Sequence, residues 1–283
     1  MQQALDLIRN SLKDVYPKGE IEGFIRLIFD QLCGFSTTDL LLKRDVELMP
    51  EIRCKIESIV ERLKLQEPIQ YILGEAYFGN LHLSVGKGVL IPRPETAEMV
   101  ARIVQEQGDV KGCVADICTG SGCIAIALAR AWNEACVEGW DISSEALAYA
   151  RRNAATNGVE VTWRECDVLS YTPHTEPRYE IIVCNPPYVL DSERADMDDN
   201  VLCYEPHLAL FVSDETPLLF YEAVARIAWS ELLSRGTLYF EINCRMGNEC
   251  KQMLSRMGFV EVEVYKDFME VDRVVKAVKP VKP

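Results

Sequence analysis

The sequence predicts an α/β protein in which a small helical domain precedes a mostly parallel sheet that ends in an antiparallel C-terminal hairpin. Three observations support this prediction. The chain has 283 residues, a length that suggests about two domains and allows a sizeable core. Helical periodicity dominates residues 1–67, whereas strand-like and helix-like segments alternate from residue 112 onward. Such alternation is typical of a parallel sheet that is covered by helices.

Residues 1–67 contain apolar stripes at helical spacing. The stripes consist of Leu5, Ile8, Leu12 and Val15, of Ile21, Phe24, Ile25, Ile28, Phe29 and Leu32, and of Ile52, Ile56, Ile59, Val60 and Leu63. Gly34 ends the second helix, and Ser36 begins a short helix that runs through Leu42. Pro50 opens the last helix and Pro68 ends it. A bundle that packs on itself and a groove that binds a partner both fit these stripes.

A change of pattern separates these helices from the rest of the chain. Residues 76–85 lie on both sides of Gly79 and Asn80 and read as a β-hairpin. The segment Ile91–Thr96 then leads into an amphipathic helix, whose apolar residues are Met99, Val100, Ile103 and Val104. We therefore predict a helical domain over residues 1–67, a hairpin linker over 68–91 and an α/β domain over 92–283.

The α/β domain is predicted to contain five strands and a terminal hairpin. The strands cover residues 113–117, 136–140, 159–164, 179–184 and 237–242, and the helices cover residues 123–131, 144–157, 217–233 and 248–257. Residues 259–265 and 273–278 form two further strands with no helix between them. We expect these two strands to pair antiparallel at the edge of the sheet.

Charge and cysteine content disfavour several classes of protein. The net charge is −14, which disfavours nucleic acid as a ligand because its binding depends mainly on cations. Residues 91–283 hold 19 basic and 31 acidic residues, against 11 and 13 in residues 1–90, so a basic partner fits the second part better. The eleven cysteines lack any Cys-x-x-Cys spacing and are expected to be free thiols, with no metal site.

The N-terminus has no basic region followed by an apolar run, so we predict no secretion signal. The uncharged apolar run over residues 117–129 is too short to span a bilayer, and it contains Gly-Ser-Gly. We therefore expect a cytoplasmic protein that has no membrane partner.

The segment Asp116–Gly122, between a strand and a helix, is the first motif with chemical content. Its glycines would let a ligand approach the backbone at a helix N-terminus. It lacks the lysine of a phosphate-binding loop and the spacing of a Gly-x-Gly-x-x-Gly motif. Asp116 stands at the strand end, where a carboxylate could take an ammonium group. A purely structural glycine turn is the alternative.

Two more acidic residues follow the next strands. Asp141 comes 19 residues after Gly122, at a strand end where a carboxylate suits the hydroxyls of a ribose. Asp167 and Val168 follow the third strand, where the carboxylate could accept from an adenine amine and the valine could cover the ring. Asp167 could equally be a turn residue. Together these residues favour a nucleoside cofactor.

The strongest motif is Asn185-Pro186-Pro187-Tyr188, which ends the fourth strand. A planar amide or aromatic amine is a weak nucleophile, so catalysis must orient its nitrogen and stabilise the charge that builds during attack. The Asn185 side-chain oxygen and the Pro186 carbonyl could each accept one N–H. The two prolines stiffen the loop, and Tyr188 offers a face to the planar group. A rigid structural turn is the alternative.

These motifs resemble those of class I methyltransferases that use S-adenosyl-L-methionine. Ile91–Thr96, Asp116–Gly122, Asn185–Tyr188 and Tyr204–Leu210 also occur in this order behind a helical domain. In this respect the chain resembles the PrmC/HemK family, which methylates a glutamine of peptide chain release factors. The resemblance covers essentially the whole chain, and the ordered set is far more specific than any one motif.

The resemblance implies a Rossmann-like sheet, S-adenosyl-L-methionine as cofactor and S-adenosyl-L-homocysteine as product. The implied cofactor loop is Cys118, Thr119, Gly120, Ser121 and Gly122, in which Cys118 replaces the usual first glycine of the family. Asp141 would hold the ribose, and Val168 stands where the family can carry a larger aromatic residue. Asn185 would touch both cofactor and substrate, and Asn185, Pro186, Pro187 and Tyr188 would clamp the substrate amide.

The implied substrate is the glutamine of the Gly-Gly-Gln loop in bacterial class 1 release factors. The helical domain would recognise the release factor, and we expect a monomer that makes no direct contact with nucleic acid. We expect methyl transfer by direct in-line displacement at sulfur, without a covalent intermediate or a metal.

Two other functions share part of this sequence pattern. The Asn-Pro-Pro-Tyr motif also occurs in nucleic acid methyltransferases that act on the amine of adenine. Such enzymes flip a base and hold phosphates, which fits poorly with a chain that is acidic and has no room for a further recognition domain. A binder or an oxidoreductase with a degenerate dinucleotide loop is the second alternative, against which the missing third glycine and the Asn185–Tyr188 motif count.

An acidic stretch follows the Asn-Pro-Pro-Tyr motif. Its members are Asp191, Glu193, Asp196, Asp198 and Asp199. A solvated mobile loop is one interpretation. The other is an electrostatic guide for a basic substrate protein, since charges at the rim of an interface mainly change the association rate.

Overall fold

In the computed structural model, which describes residues 1–281, the chain folds into two compact units. The first unit comprises Met1–Gly74 together with the short segment Asp198–Tyr204. The second comprises the hairpin and the α/β sheet, from residue 75 to 197 and from 205 onward. The chain therefore passes between the units three times. No helix in the described range is both long and apolar enough to cross a membrane.

The first unit is a helical bundle. Its helices are α1 (Gln2–Leu12), α2 (Lys18–Cys33), α3 (Thr37–Leu42), α4 (Pro50–Lys64) and α5 (Ile69–Leu73). Gly34 ends α2 in a left-handed conformation with φ of 65°, as a C-terminal glycine commonly does. The side chain of Ser36 and that of Asp39 cap α3 reciprocally. These signals lie within a few residues of the helix ends, which explains why the sequence indicates them.

The predicted apolar stripes are buried in one cluster of the bundle. Ile8, Leu12, Ile28 and Phe29 have no exposed surface, which favours the interpretation that the bundle packs on itself. Two details differ from the sequence prediction. Val15 lies beyond the end of α1 and is exposed, and α4 ends before Pro68, which instead precedes the additional helix α5. The division of the chain at residues 67 and 91 stays a prediction.

The predicted hairpin is present. It consists of β1 (Glu75–Phe78) and β2 (Leu81–Ser84), which pair antiparallel across the Gly79-Asn80 turn. Its inward side chains join an apolar cluster with α6 (Pro94–Gln107) and α7 (Cys123–Ala131). The hairpin therefore belongs to the core of the second unit.

A seven-stranded sheet forms the centre of the second unit. Its strands are β3 (Cys113–Ile117), β4 (Cys136–Asp141), β5 (Thr162–Glu165), β6 (Tyr179–Cys184), β9 (Leu232–Glu241), β10 (Val260–Lys266) and β11 (Asp272–Val278), and the pair β7 (Val189–Leu190) and β8 (Phe211–Val212) stands apart. The strand order is β10-β11-β9-β6-β3-β4-β5. The last five are parallel, and β11 is antiparallel to both of its neighbours. The predicted fold class is confirmed.

Helices cover both faces of this sheet. The remaining helices of the second unit are α8 (Ser144–Asn157), α10 (Leu219–Glu231) and α11 (Gly247–Arg256), whereas α9 (Asp199–Tyr204) belongs to the first unit. Alternate residues of the strands pack to opposite faces: Ile117 and Ile182 pack towards α10 and α11, whereas Val114 and Val183 pack towards α6 and α7. The core thus has two layers of side chains, one on each face.

The strand order reverses at β3. Strands β4 and β5 follow β3 on one side, and β6 and β9 lie on its other side. The connections leave the carboxyl ends of β3 and β6 in opposite directions and open a crevice between them. Ligands of open α/β sheets bind in such a crevice, so the topology itself indicates where the site lies.

The acidic stretch has regular structure. A 3₁₀-helix covers Asp191–Asp196, and α9 follows it. Glu193 is held inside, where its Oε2 accepts from the backbone of Leu190 and from Nδ2 of Asn243 at 2.9 and 2.7 Å. The carboxylates that are exposed are those of Asp191, Asp196, Asp198 and Asp199. The electrostatic guide stays a prediction and now excludes Glu193.

Substitution of Gly122 tests how tightly the cofactor loop packs against the sheet. Gly122 has φ of +83°, and an added Cβ would lie 2.9 Å from Trp163 and 3.0 Å from Ala150. Gly158, with φ of +67°, has no such neighbour within 4 Å. Each alanine variant bears left-handed strain of about 1 kcal/mol. We expect Gly122→Ala to lose about 1–3 kcal/mol more than Gly158→Ala, because it also overpacks the core.

Urea unfolding of the two variants measures this difference in the free energy of unfolding. Equal losses would contradict the close packing at Gly122.

Candidate active site

A cavity of about 370 Å³ opens at the carboxyl ends of β3, β4, β5 and β6. Its wall includes the loops that follow these strands, the segment after β2, Pro206, Leu208 and Ala209, and Phe220 in the first turn of α10. The volume lies within the range of about 300–1,000 Å³ that is typical of small-molecule sites. The cavity is at the crevice that the strand order indicates.

The loop after β3 is built around one buried carboxylate. Oδ2 of Asp116 accepts from the hydroxyl of Thr119 at 2.5 Å and from the backbone N–H of Ala125 at 3.0 Å. Its Oδ1 has no hydrogen-bond partner among the described residues. Burial raises the pKa of Asp116 to about 7. Asp116 lies behind the cavity wall and shapes the loop, so it does not present the exposed carboxylate that an ammonium group would need.

The five residues of the predicted cofactor loop differ in position. Cys118, Thr119, Gly120 and Ser121 line the cavity, whereas Gly122 caps α7 behind it. Cys118 has φ of 63°, a left-handed conformation that costs a residue with a side chain and that glycine adopts freely. This explains physically why a glycine suits position 118. At Gly120, with φ of +55°, an added Cβ would meet no atom within 4 Å, so the space in front of the loop is open.

Asp141 closes the loop from the next strand. Its Oδ2 accepts from the backbone N–H of Gly120 at 2.8 Å, and its Oδ1 accepts from that of Ser143 at 2.9 Å. Burial raises the pKa of Asp141, and these backbone donors oppose the rise. A carboxylate has about four acceptor positions, so the group can still accept from two hydroxyls of a ligand.

The loop after β5 provides an apolar wall. Asp167 accepts from the backbone N–H of Leu169 at 2.9 Å, as a turn residue does, and it also lines the cavity. Val168 is buried beside it. Ile142 and Leu169 also line the cavity and are 48% and 44% exposed. Apolar walls next to carboxylates and an open glycine fit a nucleoside ligand, so these residues are compatible with S-adenosylmethionine.

The Asn-Pro-Pro-Tyr motif lies at the edge of the same cavity. Asn185 and Pro187 line it, whereas Pro186 is buried and Tyr188 is half-buried behind the wall. The hydroxyl of Tyr188 donates to Oε1 of Glu241 at 3.0 Å, and burial raises the pKa of Tyr188. The structure thus brings the Asn185 side chain to the predicted cofactor residues, while the hydroxyl of Tyr188 has a buried partner.

Arg93 and Glu205 join two motifs that are distant in sequence. Nη2 of Arg93 donates to Oε1 of Glu205 at 2.6 Å, and the backbone N–H of Ile91 donates to Oε2 at 3.2 Å. Glu205 is almost completely buried. Both motifs contribute to the cavity wall: Arg93 comes from Ile91–Thr96, and Leu208 comes from Tyr204–Leu210. The pair therefore fixes one side of the entrance.

Several residues of the site have no role in the sequence prediction. These are Lys87, Gly88, Val89, Leu90, Thr96 and Phe220 on the wall and Glu241 behind it. One signal was available for Glu241, because it is the only charged residue in the apolar segment that covers residues 237–242. Thr96 belongs to the Ile91–Thr96 motif without a role of its own there, and the others carry no distinctive spacing.

Two family profiles match the chain. One, described as the PrmC N-terminal domain, matches residues 3–74. The other, described as the methyltransferase small domain, matches residues 95–203. The matches fall on the helical unit and on the part of the sheet that holds the cofactor loop and the Asn-Pro-Pro-Tyr motif.

Curated relatives match over nearly the whole chain. The release factor glutamine methyltransferase of Bacteroides thetaiotaomicron is 43% identical over 98% of this chain and 99% of its own length. The protein of the same description from Flavobacterium psychrophilum is 40% identical over 94% of each chain. A third, from Streptococcus pneumoniae, is 37% identical over 95% of this chain and 96% of its own.

Solved structures share the fold. A methyltransferase from Pyrococcus furiosus matches with a TM-score of 0.52 and 15% identity, over 82% of this chain and 100% of its own. The ribosomal protein L11 methylase of Lactobacillus delbrueckii matches with a TM-score of 0.50 and 18% identity, over 70% and 84%. At these identities the similarity concerns the fold alone.

The left-handed backbone at Cys118 can be tested by two substitutions that both remove the thiol. We expect Cys118→Gly to be more stable than Cys118→Ala by about 1 kcal/mol, because alanine keeps the strain and glycine relieves it. The exposed strand residue Cys136 is the control, where the order should reverse because glycine weakens a strand. Denaturant unfolding measures both pairs, and the same order at the two sites would refute the assigned strain.

The buried carboxylate of Asp116 makes stability depend on pH. Its pKa is raised to about 7 in the folded protein, so between its unfolded value near 4 and about 7 the folded state binds more protons. This group's contribution to stability is therefore present at low pH and is lost as pH rises through that window. Relative to Asp116→Asn, the native protein should lose up to roughly 4 kcal/mol between pH 4 and 8.

Thermal or urea unfolding at several pH values measures this difference. A constant difference between the two proteins would show that Asp116 is ionised throughout.

Proposed function

Because the chain belongs to the family of release factor glutamine methyltransferases, we propose that it methylates a glutamine side chain. The acceptor is the amide nitrogen of the Gly-Gly-Gln glutamine in class 1 peptide chain release factors. The methyl donor is S-adenosyl-L-methionine, and S-adenosyl-L-homocysteine is the second product. The observation that supports this most directly is that Asn185 lines the same cavity as residues 118–121 and Asp141.

The site must hold S-adenosylmethionine and the substrate glutamine so that the methyl group and the amide nitrogen are in line. S-adenosylmethionine supplies an electrophilic methyl group when it is bound. Asp141 would accept from the ribose hydroxyls, while Val168, Ile142 and Leu169 would enclose the adenine. The loop of residues 118–121 would lie against the remainder of the cofactor, over the open space at Gly120.

The Asn-Pro-Pro-Tyr segment would orient the glutamine. The lone pair of an amide nitrogen is delocalised, so the chain must hold the nitrogen in the direction of attack and stabilise the positive charge that develops on it. Oδ1 of Asn185 accepts one N–H of the substrate amide, and the carbonyl of Pro186 accepts the other. The buried prolines keep these two acceptors in place. The proton leaves to water after transfer.

The charge of the chain favours a basic protein partner. The chain carries a net charge of −14, most of which lies after residue 90. The exposed carboxylates of Asp191, Asp196, Asp198 and Asp199 would attract a basic surface of the release factor. The helical unit would provide a second recognition surface. The same charge disfavours the alternative, adenine in nucleic acid, because that substrate brings phosphates.

The proposal is tested by mass spectrometry of purified release factor after incubation with the protein and S-adenosylmethionine carrying a labelled methyl group. We expect one labelled methyl group on the glutamine of the Gly-Gly-Gln loop. Asn185→Ala should slow its appearance by about 10²–10³-fold, since one hydrogen bond to the transition state is lost.

A release factor with Gly-Gly-Asn in place of Gly-Gly-Gln serves as the matched control and should stay unlabelled. Label on an oligonucleotide but not on the release factor would overturn the assigned substrate.

The role of Asp141 is tested by binding of S-adenosylmethionine to the Asp141→Asn variant. The variant loses the negative charge that accepts from the ribose, so affinity should fall at least about tenfold. The control is Glu145→Gln, which removes a carboxylate from the same cavity wall without an assigned contact. Calorimetry gives both dissociation constants, and equal effects of the two substitutions would assign the loss to charge in general.

A further inference from the structure

Three polar side chains behind the cavity form a continuous chain of hydrogen bonds. Nδ2 of Asn185 donates to Oγ1 of Thr96 at 3.4 Å, and Oγ1 of Thr96 donates to Oε2 of Glu241 at 2.6 Å. Thr96 and Glu241 are 2% and 1% exposed. We infer that Thr96 and Glu241 are positioning residues that decide which end of the Asn185 amide faces the substrate, an inference that rests on the proposed function.

The direction of these hydrogen bonds follows from the chemistry of each group. An ionised carboxylate can only accept hydrogen bonds, and a threonine hydroxyl has a single proton to donate. Because the hydroxyl of Thr96 lies so close to Glu241, its proton is committed to the carboxylate. Oγ1 of Thr96 is then an acceptor towards Asn185, so the NH₂ of Asn185 must face Thr96.

The other end of the amide is therefore an oxygen. An asparagine amide is planar, with Oδ1 and Nδ2 on opposite sides of one carbon, so holding Nδ2 at Thr96 turns Oδ1 away from it. An oxygen in this position can accept from the NH₂ of a substrate amide. With the amide reversed, two NH₂ groups would meet, and the substrate could not be held by this side chain.

The surroundings of Glu241 support its role as an acceptor. Its other oxygen, Oε1, accepts from the hydroxyl of Tyr188 at 3.0 Å. Burial raises the pKa of Glu241, and the nearby Arg273 together with the hydrogen bonds from Thr96 and Tyr188 opposes that rise. Both oxygens thus have donors, as an ionised carboxylate requires in a buried place.

The fold explains why these residues meet. Cys184 pairs with Phe240 in the parallel ladder of β6 and β9, so the next residues, Asn185 and Glu241, lie at one level at the carboxyl edge of the sheet. Thr96 lies in the first turn of α6, which crosses this edge. Thr96 is the last residue of the Ile91–Thr96 motif, and it has no other role in the proposed reaction.

The alternative is a structural role, in which Thr96 serves only to satisfy a buried carboxylate. The two roles differ in what Thr96→Val and Thr96→Ser should do. For a positioning role, Thr96→Val should lower the maximal rate of glutamine methylation by roughly 10–100-fold, with a much smaller change in the affinity for S-adenosylmethionine. Thr96→Ser keeps the hydroxyl and should restore the rate to within about threefold.

A double-mutant cycle gives the sharper test. If Thr96 acts through Asn185, adding Thr96→Val to Asn185→Ala should slow the reaction no more than about twofold further, since the group to be oriented is already absent. Single-turnover measurements by mass spectrometry can follow these slow variants. Independent effects that multiply would overturn the inference.

A matched control lies on the same two elements, two residues before Glu241 on β9 and at the C-terminal end of α6. The hydroxyl of Tyr239 on β9 contacts Gln107 and Glu106 on α6, at 2.7 and 3.0 Å. Tyr239→Phe also removes a hydrogen bond between β9 and α6, yet it should leave the rate unchanged. An equal loss of rate in Tyr239→Phe, or full activity in Thr96→Val, would reject the positioning role.

The outcome also separates this inference from the proposed function. Failure of the unaltered protein to methylate the release factor would reject the function. Methylation by the unaltered protein and by Thr96→Val at the same rate would reject only the positioning role.

Discussion

The register of four parallel strands is the constraint on which the site depends. In the ladders, Ile117 pairs with Trp140 on one side and with Cys184 on the other, and Cys184 pairs with Phe240. The residues that come next, Cys118, Asp141, Asn185 and Glu241, are therefore placed in one row at the edge of the sheet. A shift of one residue in any of these ladders would turn its side chain to the opposite face.

Several carboxylates are buried in and behind this row. Asp116, Glu205 and Glu241 are each at most 4% exposed, and a buried charge is costly unless it is hydrogen-bonded. Two of them have partners from distant parts of the chain, Arg93 for Glu205 and Thr96 with Tyr188 for Glu241. Asp116 instead has local partners, the hydroxyl of Thr119 and the backbone N–H of Ala125. Burial of each carboxylate thus costs stability, and its hydrogen bonds fix the position of the segment that it contacts.

The elements that the sequence predicted well have local causes. Strand β3 and helices α7 and α8 have the predicted bounds, because glycine, serine caps and apolar periodicity mark them within a few residues. Four residues of the predicted cofactor loop line one cavity, because they are contiguous in the sequence. Thr96 and Glu241 were not, because they are 145 positions apart and meet only when α6 crosses the sheet edge. Helix α9 was missed for the same reason, since its partners are in the first unit.

Helix α9 has a consequence for synthesis on the ribosome. The first unit includes Asp198–Tyr204, and the hydroxyl of Tyr204 donates to the carbonyl of Leu65 at 2.8 Å, across a separation of 139 residues. An N-terminal domain normally completes its fold as soon as it emerges, but this one lacks a helix until most of the sheet has been translated. Until then, the surface of the nascent bundle that α9 covers in the complete protein stays exposed. For the same reason, cutting the chain after Gly74 would not yield two self-sufficient halves.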